Sequence, residues 1–120
     1  MELTHFVDMV ERAKNDAGHG ALWGTESEDL DCTLVAWPEG RGVTASVNDE
    51  VDVAMIIVEG HATVRIDDDE IGLSSGQVVI IEKGCRREIR ATSPRLVYLN
   101  VHKRRKRLGL SSIDRYRSES

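Results

Sequence analysis

Residues 53–84 read VAMIIVEGHATVRIDDDEIGLSSGQVVIIEKG, and this stretch decides the predicted fold of the chain. Two runs rich in β-branched residues flank Glu59-Gly60. A dipeptide that ends in glycine between two such runs is typical of a two-residue β-hairpin, because glycine tolerates a positive φ. The turn length sets a register in which Ile57 lies opposite Ala62. The stretch therefore predicts a strand, a tight turn, a second strand, a loop and a third strand.

Apolar residues alternate along the two strands of this predicted hairpin, so one face is predicted to be core. That face contains Val53, Met55, Ile57, Ala62, Val64 and Ile66. The first strand is apolar on its other face as well. A strand with two apolar faces is expected inside a sheet that is covered on both sides, as in a sandwich or a closed small barrel.

Short strands recur through the rest of the chain at intervals of roughly ten residues, separated by glycine-containing turns. They are predicted within residues 21–37, 43–48, 71–73, 78–81, 86–92 and 96–102. Strands that alternate with helices would indicate a parallel sheet, and the pattern shows no such alternation. The rhythm is typical of an all-β sandwich or barrel.

A short helix is predicted for residues 4–16, before this β-rich body. Thr4 is a residue type suited to an N-cap, and Gly18 is a stop signal. The partial apolar stripe of the helix consists of Phe6, Val7 and Val10. Such a helix is expected to pack its stripe against the β body.

The composition favours a single cytoplasmic domain. A chain of 120 residues is large enough for one core but not for two. Its formal net charge of -5 argues against a surface that binds nucleic acid throughout. No apolar run approaches the roughly 20 residues of a membrane span, and the charged N-terminal stretch lacks a signal-peptide core. Cys32 and Cys85 form no C-x-x-C pair, so reduced thiols are expected.

Glycines occur in two groups at a characteristic separation. Gly40 and Gly60 belong to the first group, and the stretch GQVVIIEKG at residues 76–84 carries the second. In this arrangement, over residues 30–102, the chain resembles a small single-domain cupin. The resemblance implies an all-β double-stranded β-helix, or jelly-roll barrel, with a short N-terminal helix. The expected organisation is an N-terminal helical segment (1–20), a cupin-like β-barrel (21–107) and a polar C-terminal tail (108–120).

The chain departs from this family at the positions that bind a divalent metal. The two histidines of the family's first motif fall on Ser46 and Asn48, and the late histidine of the second motif falls on Arg87. The position of the family's acidic ligand falls on Val53 when it is counted back from Gly60, and on Asp52 when it is counted forward from Asn48. Imidazole is the usual ligand for iron, zinc, nickel and copper. The sequence therefore predicts no metal and no other cofactor.

Arg87 is the residue on which the predicted site depends. If its side chain keeps the inward direction of the histidine that it replaces, the buried guanidinium requires a carboxylate partner. We therefore expect an ion pair between Arg87 and Asp52 or Glu50, with Asn48 nearby. The same guanidinium fork could instead bind an anionic small molecule. A third possibility is that Arg87 points to solvent at a strand edge.

Three function classes remain open at this stage. The first is a metal-independent barrel that binds a small polar or anionic ligand, in a cavity lined by Ser46, Asn48, Glu50, Asp52, Met55, Ile57, Val64 and Arg87. The second is a cupin-type enzyme, such as an isomerase, an epimerase or a dioxygenase-like protein, that uses residual acidic residues or a non-standard metal site. Its catalytic residues are not assigned. The third is a structural barrel with a degenerate site. A homodimer is expected from the resemblance, through the N-terminal helix or the strand of Trp37.

Cysteine and tryptophan residues each allow a functional and a structural interpretation. Arg86 and Arg87 beside Cys85 would lower the pKa of its thiol and make it reactive. The favoured interpretation is that Cys85 is a small apolar side chain that fills space at the start of a strand. Trp23 and Trp37 are interpreted as core or interface anchors rather than as ligand-stacking residues.

The C-terminal end of the predicted barrel is polar. His102 has the strand parity of Tyr98 and Asn100, which would suit a cavity mouth, but a solvent-facing side chain is favoured. The basic run at residues 103–107 is interpreted as a solvated face, and neither nucleic acid nor a membrane is expected as a partner.

Overall fold

The computed structural model describes residues 5–105, which form β-strands and one short helix. The helix α1 spans Met9–Asn15. The strands are β1 (Gly20–Glu26), β2 (Leu30–Pro38), β3 (Gly42–Val47), β4 (Val53–Glu59), β5 (His61–Ile66), β6 (Asp69–Ser74), β7 (Val78–Ile81), β8 (Arg86–Ala91) and β9 (Arg95–Lys103). The predicted all-β class is confirmed. Within residues 5–105, no helix is long and apolar enough to cross a bilayer.

The strands form two antiparallel sheets. One has the order β1-β2-β9-β4-β7, and the other has the order β3-β8-β5-β6. Neighbouring strands are often far apart in sequence, because β9 lies between β2 and β4 while β8 lies between β3 and β5. The fold is therefore held together mainly by long-range strand pairing.

The main core lies between the inner faces of the two sheets. It consists of Val35, Trp37, Val43, Met55, Ile57, Ala62, Val64, Leu73, Ile81, Ile89, Ala91, Leu96 and Tyr98. Trp37 Nε1 donates a 2.9 Å hydrogen bond to Tyr98 Oη, which satisfies polar atoms of two large buried side chains. Trp37 is thus a core anchor, as expected. The predicted core face is also confirmed, since Met55 and Val64 are fully buried and Ile66 packs against this cluster.

The predicted hairpin at Glu59-Gly60 is wrong, because β4 and β5 belong to different sheets. Ile57 lies opposite Tyr98 in the five-stranded sheet, whereas Ala62 pairs with strands of the four-stranded sheet. The dipeptide is a corner at which the chain crosses from one sheet to the other. Inward and outward side chains alternate in the same way through a corner and a hairpin, so the pattern predicted the faces correctly and the pairing incorrectly.

Gly60 forms this corner with a positive φ of 81°. A Cβ atom at this position would lie 2.0 Å from the carbonyl oxygen of Arg95. The neighbouring amide of His61 donates a 2.9 Å hydrogen bond to Ser93 Oγ. The corner is therefore packed directly against the turn that precedes β9.

The two-residue hairpin lies further along the chain, between β5 and β6. Ile66 pairs with Asp69, so the connection consists of Asp67 and Asp68. Asp67 has a positive φ of 54°, a conformation that short polar side chains tolerate better than most. Asp67 Oδ1 also accepts a 2.9 Å hydrogen bond from the amide of Arg86. The tight hairpin of this region thus lies at the start of the stretch that was predicted to be a loop.

The helix begins later than predicted. Asp8 is its N-cap and accepts a hydrogen bond from the Glu11 amide, while Thr4 lies outside the described residues. Phe6 and Val10, which belonged to the predicted stripe, are 65% and 70% exposed. An Asp N-cap outcompetes the earlier start because its carboxylate suits the positive helix N-terminus.

A second, smaller core lies where α1 packs on the outer face of the five-stranded sheet. Its buried members are Ala13, Leu22, Leu34, Ala36 and Val97. Residues 21–37, which were predicted to contain one strand, form most of β1 and β2. The β1 strand was missed because a register shift between Ala21 and Trp23 breaks its alternation.

Candidate functional site

Polar side chains are buried at one end of an otherwise apolar barrel interior. Within residues 5–105 the buried polar side chains are Asp31, Thr33, Asn100 and His102. They form two cross-strand pairs between β2 and β9, in which Asp31 lies opposite His102 and Thr33 lies opposite Asn100. The next inward pair is Val35 and Tyr98, so the interior becomes apolar immediately beyond them. We refer to these four residues as the polar end of the barrel.

Asp31 and His102 form the outer pair of this group, nearest the end of the barrel. His102 Nε2 lies 3.9 Å from Asp31 Oδ2, and the two side chains are only 4% and 7% exposed. His102 Nδ1 lies 2.8 Å from the carbonyl oxygen of Lys103. A carbonyl only accepts, so Nδ1 carries a proton, and the other ring nitrogen faces a carboxylate. The ring is therefore oriented by the Lys103 carbonyl, with Nε2 turned towards Asp31.

The favoured interpretation of His102 as solvent-facing is wrong. His102 has 6% of its surface exposed. It lies between Asp31 of β2 and Val53 of β4, both of which are directly opposite it in register. The strand end is therefore covered on both sides, and the inward parity shared with Asn100 takes the side chain into the interior.

Arg87 lies on the inner face at the same end. The β4 strand starts at Val53, beside His102, and runs to the corner at Gly60. The β5 strand leaves that corner and ends at Ile66, which pairs with Arg87. Arg87 also shares its face with the buried residues of β8, and it is half-buried itself. Its predicted inward direction thus agrees with the register.

Ser46 joins Arg87 through an irregularity in β3. Val43 pairs with Ile89, but the next pair is Ser46 with Arg87, so two residues of β3 oppose a single residue of β8 between these pairs. Such a bulge changes which side chains point inward. It places the exposed Ser46 directly opposite Arg87.

The predicted ion pair of Arg87 with Asp52 or Glu50 is wrong. Arg87 takes part in no ion pair with another residue of the described range 5–105. Asp52 Oδ1 instead accepts a 2.8 Å hydrogen bond from the Lys83 amide. Because the guanidinium is only half-buried, it does not require the carboxylate that full burial would demand.

Asn48 organises the loop between β3 and β4. Its Oδ1 accepts a 3.0 Å hydrogen bond from the Glu50 amide, and its Nδ2 donates one of 3.0 Å to the Val51 carbonyl. This is an Asx-type turn, in which the side chain replaces a backbone partner. Asn48 and the half-buried Glu50 therefore shape the rim of the polar end rather than neutralise Arg87.

The deeper residues of the predicted cavity are packed into the main core. Met55, Ile57 and Val64 have at most 1% of their surface exposed. Met55 lies beside Asn100 in register, so it forms part of the floor beneath the polar end. A contact between these side chains and a ligand stays a prediction.

Comparisons with known proteins identify the fold. No family model and no curated protein matches the chain. Among solved structures, the BH2720 protein of Bacillus halodurans matches with a TM-score of 0.73 over 88% of this chain and 84% of that one, at 16% identity. An RmlC-like cupin family protein of Methanocaldococcus jannaschii, with a double-stranded β-helix fold, gives 0.62 over 68% and 75%, at 18% identity. KdgF of a Halomonas species gives 0.64 over 68% and 76%, at 19% identity.

The chain has the cupin fold. The glycines of its two cupin motifs all adopt positive φ, between 81° and 88°, at residues 40, 60, 76 and 84. Each lies in the connection before or after a strand. The backbone therefore follows the glycine arrangement on which the resemblance was based.

The residues at the metal positions of the cupin fold do not fit a divalent cation. Ser46 is exposed, Asn48 is engaged in its loop, and Arg87 carries a positive charge. Of the two residues that could take the acidic position, Val53 is buried and aliphatic, and Asp52 accepts a hydrogen bond from the Lys83 amide. Within residues 5–105, no group of three or more His, Cys, Asp or Glu side chains is placed to hold a metal ion. These positions therefore lack the set of imidazole and carboxylate donors that such an ion prefers.

Sequence reasoning missed Asp31, Thr33 and Asn100. In β2, the alternating apolar residues indicated a strand. Leu34, one of them, lies on the outer face of the sheet, under α1. The residues that alternate with them point into the barrel, and Asp31 and Thr33 are the first two of these. The available signal was the shared parity of Asn100 and His102 on the last strand.

The environment of Cys85 opposes a reactive thiol. Partial burial raises its pKa, and the nearby carboxylates of Asp67, Glu82 and Asp52 raise it further, with Asp67 also accepting a hydrogen bond from the thiol. Burial and the Asp31 carboxylate likewise raise the pKa of the Cys32 thiol. The alternative in which Arg86 and Arg87 lower the pKa of Cys85 is wrong, because carboxylates of three adjacent turns outweigh them. Both cysteines are free thiols.

Replacing Asp67 with Asn is expected to increase the alkylation rate of Cys85 severalfold at pH 8. The change removes a negative charge and so lowers the thiol pKa, while the Asn Oδ1 can still accept from the Arg86 amide. The rate is measured with iodoacetamide in a Cys32→Ala background. Asp68→Asn, on the same turn, is the matched control and should leave the rate unchanged. Equal rates in all three proteins would contradict the assignment.

Grooves also occur on the outer face of the four-stranded sheet. One of about 290 Å³ is lined by Thr63, Arg65, Glu70, Glu88, Arg90 and Thr92. Its arginines are balanced by glutamates, and Arg65 and Glu70 are 3.9 Å apart. Because the charges of this groove compensate one another, the polar end is the better candidate for binding a charged ligand.

Proposed function

We propose that this cupin-fold protein binds a small anionic ligand at the polar end of the barrel, without a metal. The observation that carries the proposal is Arg87. It is a half-buried arginine on the inner face, and it forms no ion pair with any residue of the range 5–105. A guanidinium of this kind presents a planar set of donors that matches a carboxylate or phosphate.

The surroundings of Arg87 favour an anion over a cation. Ser46 lies directly opposite it and adds a hydroxyl donor. Asp31 and His102 face each other at 3.9 Å, whereas Arg87 forms no ion pair within residues 5–105, so its guanidinium is the cationic group available to a ligand. A ligand carboxylate would pair with this guanidinium through two parallel hydrogen bonds.

The ligand is expected to be small. The core residues Met55 and Val64 are fully buried directly inward of the polar end, so the barrel offers no deep apolar pocket there. The loops that carry Asn48 and Asp52 restrict the rim through hydrogen bonds of 2.8 to 3.0 Å. A cytoplasmic location, where small carboxylates and phosphates are abundant, stays a prediction.

Replacing Arg87 with Gln is expected to weaken anion binding by about 10- to 150-fold, because hydrogen bonds to a charged group contribute roughly 1.5 to 3 kcal/mol. The measurement is calorimetric titration and thermal shift with acetate, oxalate, citrate and inorganic phosphate. Arg90→Gln is the matched control, since Arg90 is an exposed arginine of the same strand on the outer face.

The expected result is a thermal shift in the wild type and in Arg90→Gln that is lost in Arg87→Gln. The proposal is overturned if none of the probes binds to the wild type. It is also overturned if the two variants lose binding equally, because the effect would then reflect net charge rather than the site. Thermal unfolding without ligand shows whether Arg87→Gln remains folded.

A further inference from the structure

One cross-strand row of the four-stranded sheet carries two opposite charges. Arg87 of β8 pairs with Ser46 of β3 on one side and with Ile66 of β5 on the other. Ile66 pairs in turn with Asp69 of β6. Residues directly opposite one another in antiparallel strands lie on the same face of the sheet. These four residues therefore form one row across the whole sheet, which we name the charged row.

The charged row faces the interior of the barrel. The neighbouring row on the same face is formed by Val43, Ile89, Val64 and Ile71. The first three of these side chains are buried members of the main core. Because alternate residues of a strand point to the same face, the charged row also points inward, one step nearer the end of the barrel.

The two charges of this row do not neutralise each other. Ile66 lies between Arg87 and Asp69, whose Cα atoms are two strand spacings, or about 10 Å, apart. Neither side chain forms an ion pair with another residue of the range 5–105. Arg87 is half-buried and Asp69 is exposed. Within this range, the row thus presents a cation and an anion to a ligand, on either side of an apolar residue.

Carboxylates also surround the loop that leads into β8. Burial and the nearby carboxylates of Asp67, Glu82 and Asp52 raise the pKa of the Cys85 thiol, and Cys85 comes two residues before Arg87. Two of these carboxylates accept hydrogen bonds of 2.8 and 2.9 Å from backbone amides on either side of this thiol. A second carboxylate on a ligand bound to Arg87 would therefore meet like charges, whereas a cationic group would meet opposite ones.

We propose that the ligand of this site is a zwitterion, whose carboxylate binds Arg87 and whose cationic group binds Asp69. This inference rests on the proposed function, because it takes Arg87 as the anion-binding residue. Ser46 adds a hydroxyl donor for the carboxylate, and the carbons between the two ligand charges lie against Ile66. The separation of Arg87 and Asp69 favours an amino acid with several carbons between its charged groups over an α-amino acid, in which a single carbon separates them.

The test compares butyrate, γ-aminobutyrate and succinate, which are nearly equal in size. All three have a carboxylate at one end, and the other end is neutral, positive or negative. The full chain is expected to bind γ-aminobutyrate about 3- to 5-fold more tightly than butyrate, because an exposed ion pair contributes up to about fivefold in affinity. Succinate should bind less tightly than γ-aminobutyrate. NMR titration at constant ionic strength gives the three dissociation constants.

Two variants of the β5–β6 hairpin show whether Asp69 causes this preference. Asp69→Asn is expected to reduce the ratio of the butyrate and γ-aminobutyrate dissociation constants to about one, since the charge that meets the ammonium group is removed. Asp68→Asn is the matched control. It removes the same charge from the same hairpin, but Asp68 belongs to the two-residue turn and lies outside the charged row. Circular dichroism confirms that both variants fold.

A preference for γ-aminobutyrate that is retained in Asp68→Asn and lost in Asp69→Asn supports the inference. If the chain binds acetate or butyrate through Arg87 but binds γ-aminobutyrate no more tightly, the inference is overturned while the proposed function stands. Equal loss of the preference in both variants also overturns it, because the effect would then reflect the net charge of the hairpin. If no anion binds to the wild type, the proposed function fails and the inference fails with it.

Discussion

Replacing Gly60 with Ala is expected to destabilise the protein by about 2 to 5 kcal/mol. The left-handed backbone conformation costs an alanine roughly 1 to 2 kcal/mol. In addition, the new Cβ would lie 2.0 Å from the Arg95 carbonyl oxygen, so backbone must move, at a cost of roughly 1 to 3 kcal/mol. Urea unfolding measures the sum as a change in midpoint at constant slope.

Gly76→Ala separates the two contributions to this effect. Gly76 also has a positive φ, of 88°, but nothing lies within 4 Å of its added Cβ. The free energy of unfolding of this variant should therefore fall by only about 1 to 2 kcal/mol, which is the cost of placing an alanine in the left-handed backbone conformation. If the two variants are equally destabilised, the corner is not sterically constrained and its packing against the turn before β9 is unimportant.

The Gly60 corner shows where sequence reasoning about the fold succeeds and where it stops. Alternation identified the inward faces of β4 and β5, because it depends only on the pleat of each strand. The pairing of Ile57 with Tyr98 joins residues far apart in the chain, and no local pattern specifies it. A glycine that turns the chain between sheets and one that turns it within a hairpin look alike in sequence.

The candidate site shows the same division between local and long-range information. Arg87 was identified because a motif assigned its position, and its inner face follows from the alternation of β8. Asp31 was missed because its importance arises from pairing with His102, which depends on the register of β2 against β9. The bulge that brings Ser46 opposite Arg87 likewise has no signature in the sequence.

Replacing Asp31 with Leu is expected to destabilise the protein by roughly 3 to 5 kcal/mol. Removing one partner of a buried salt-bridge contact costs roughly 3 to 5 kcal/mol, and here the buried imidazole loses the carboxylate that faces it in an environment of low polarity. His102 is 6% exposed, so water replaces the carboxylate poorly. Urea unfolding at pH 7 measures the loss. Glu26→Leu is the control, since its contact with Arg104 is a partly exposed pair at 3.5 Å and should contribute no more than about 1 kcal/mol.

The double variant Asp31→Leu, His102→Leu decides what the pair contributes. Exchanging both members of a buried ion pair for apolar residues is often neutral or stabilising. We therefore expect the double variant to recover most of the stability lost in Asp31→Leu. Failure to recover would mean that Asp31 and His102 stabilise the barrel in their own right. The interactions that the pair makes would then contribute more free energy than its desolvation costs.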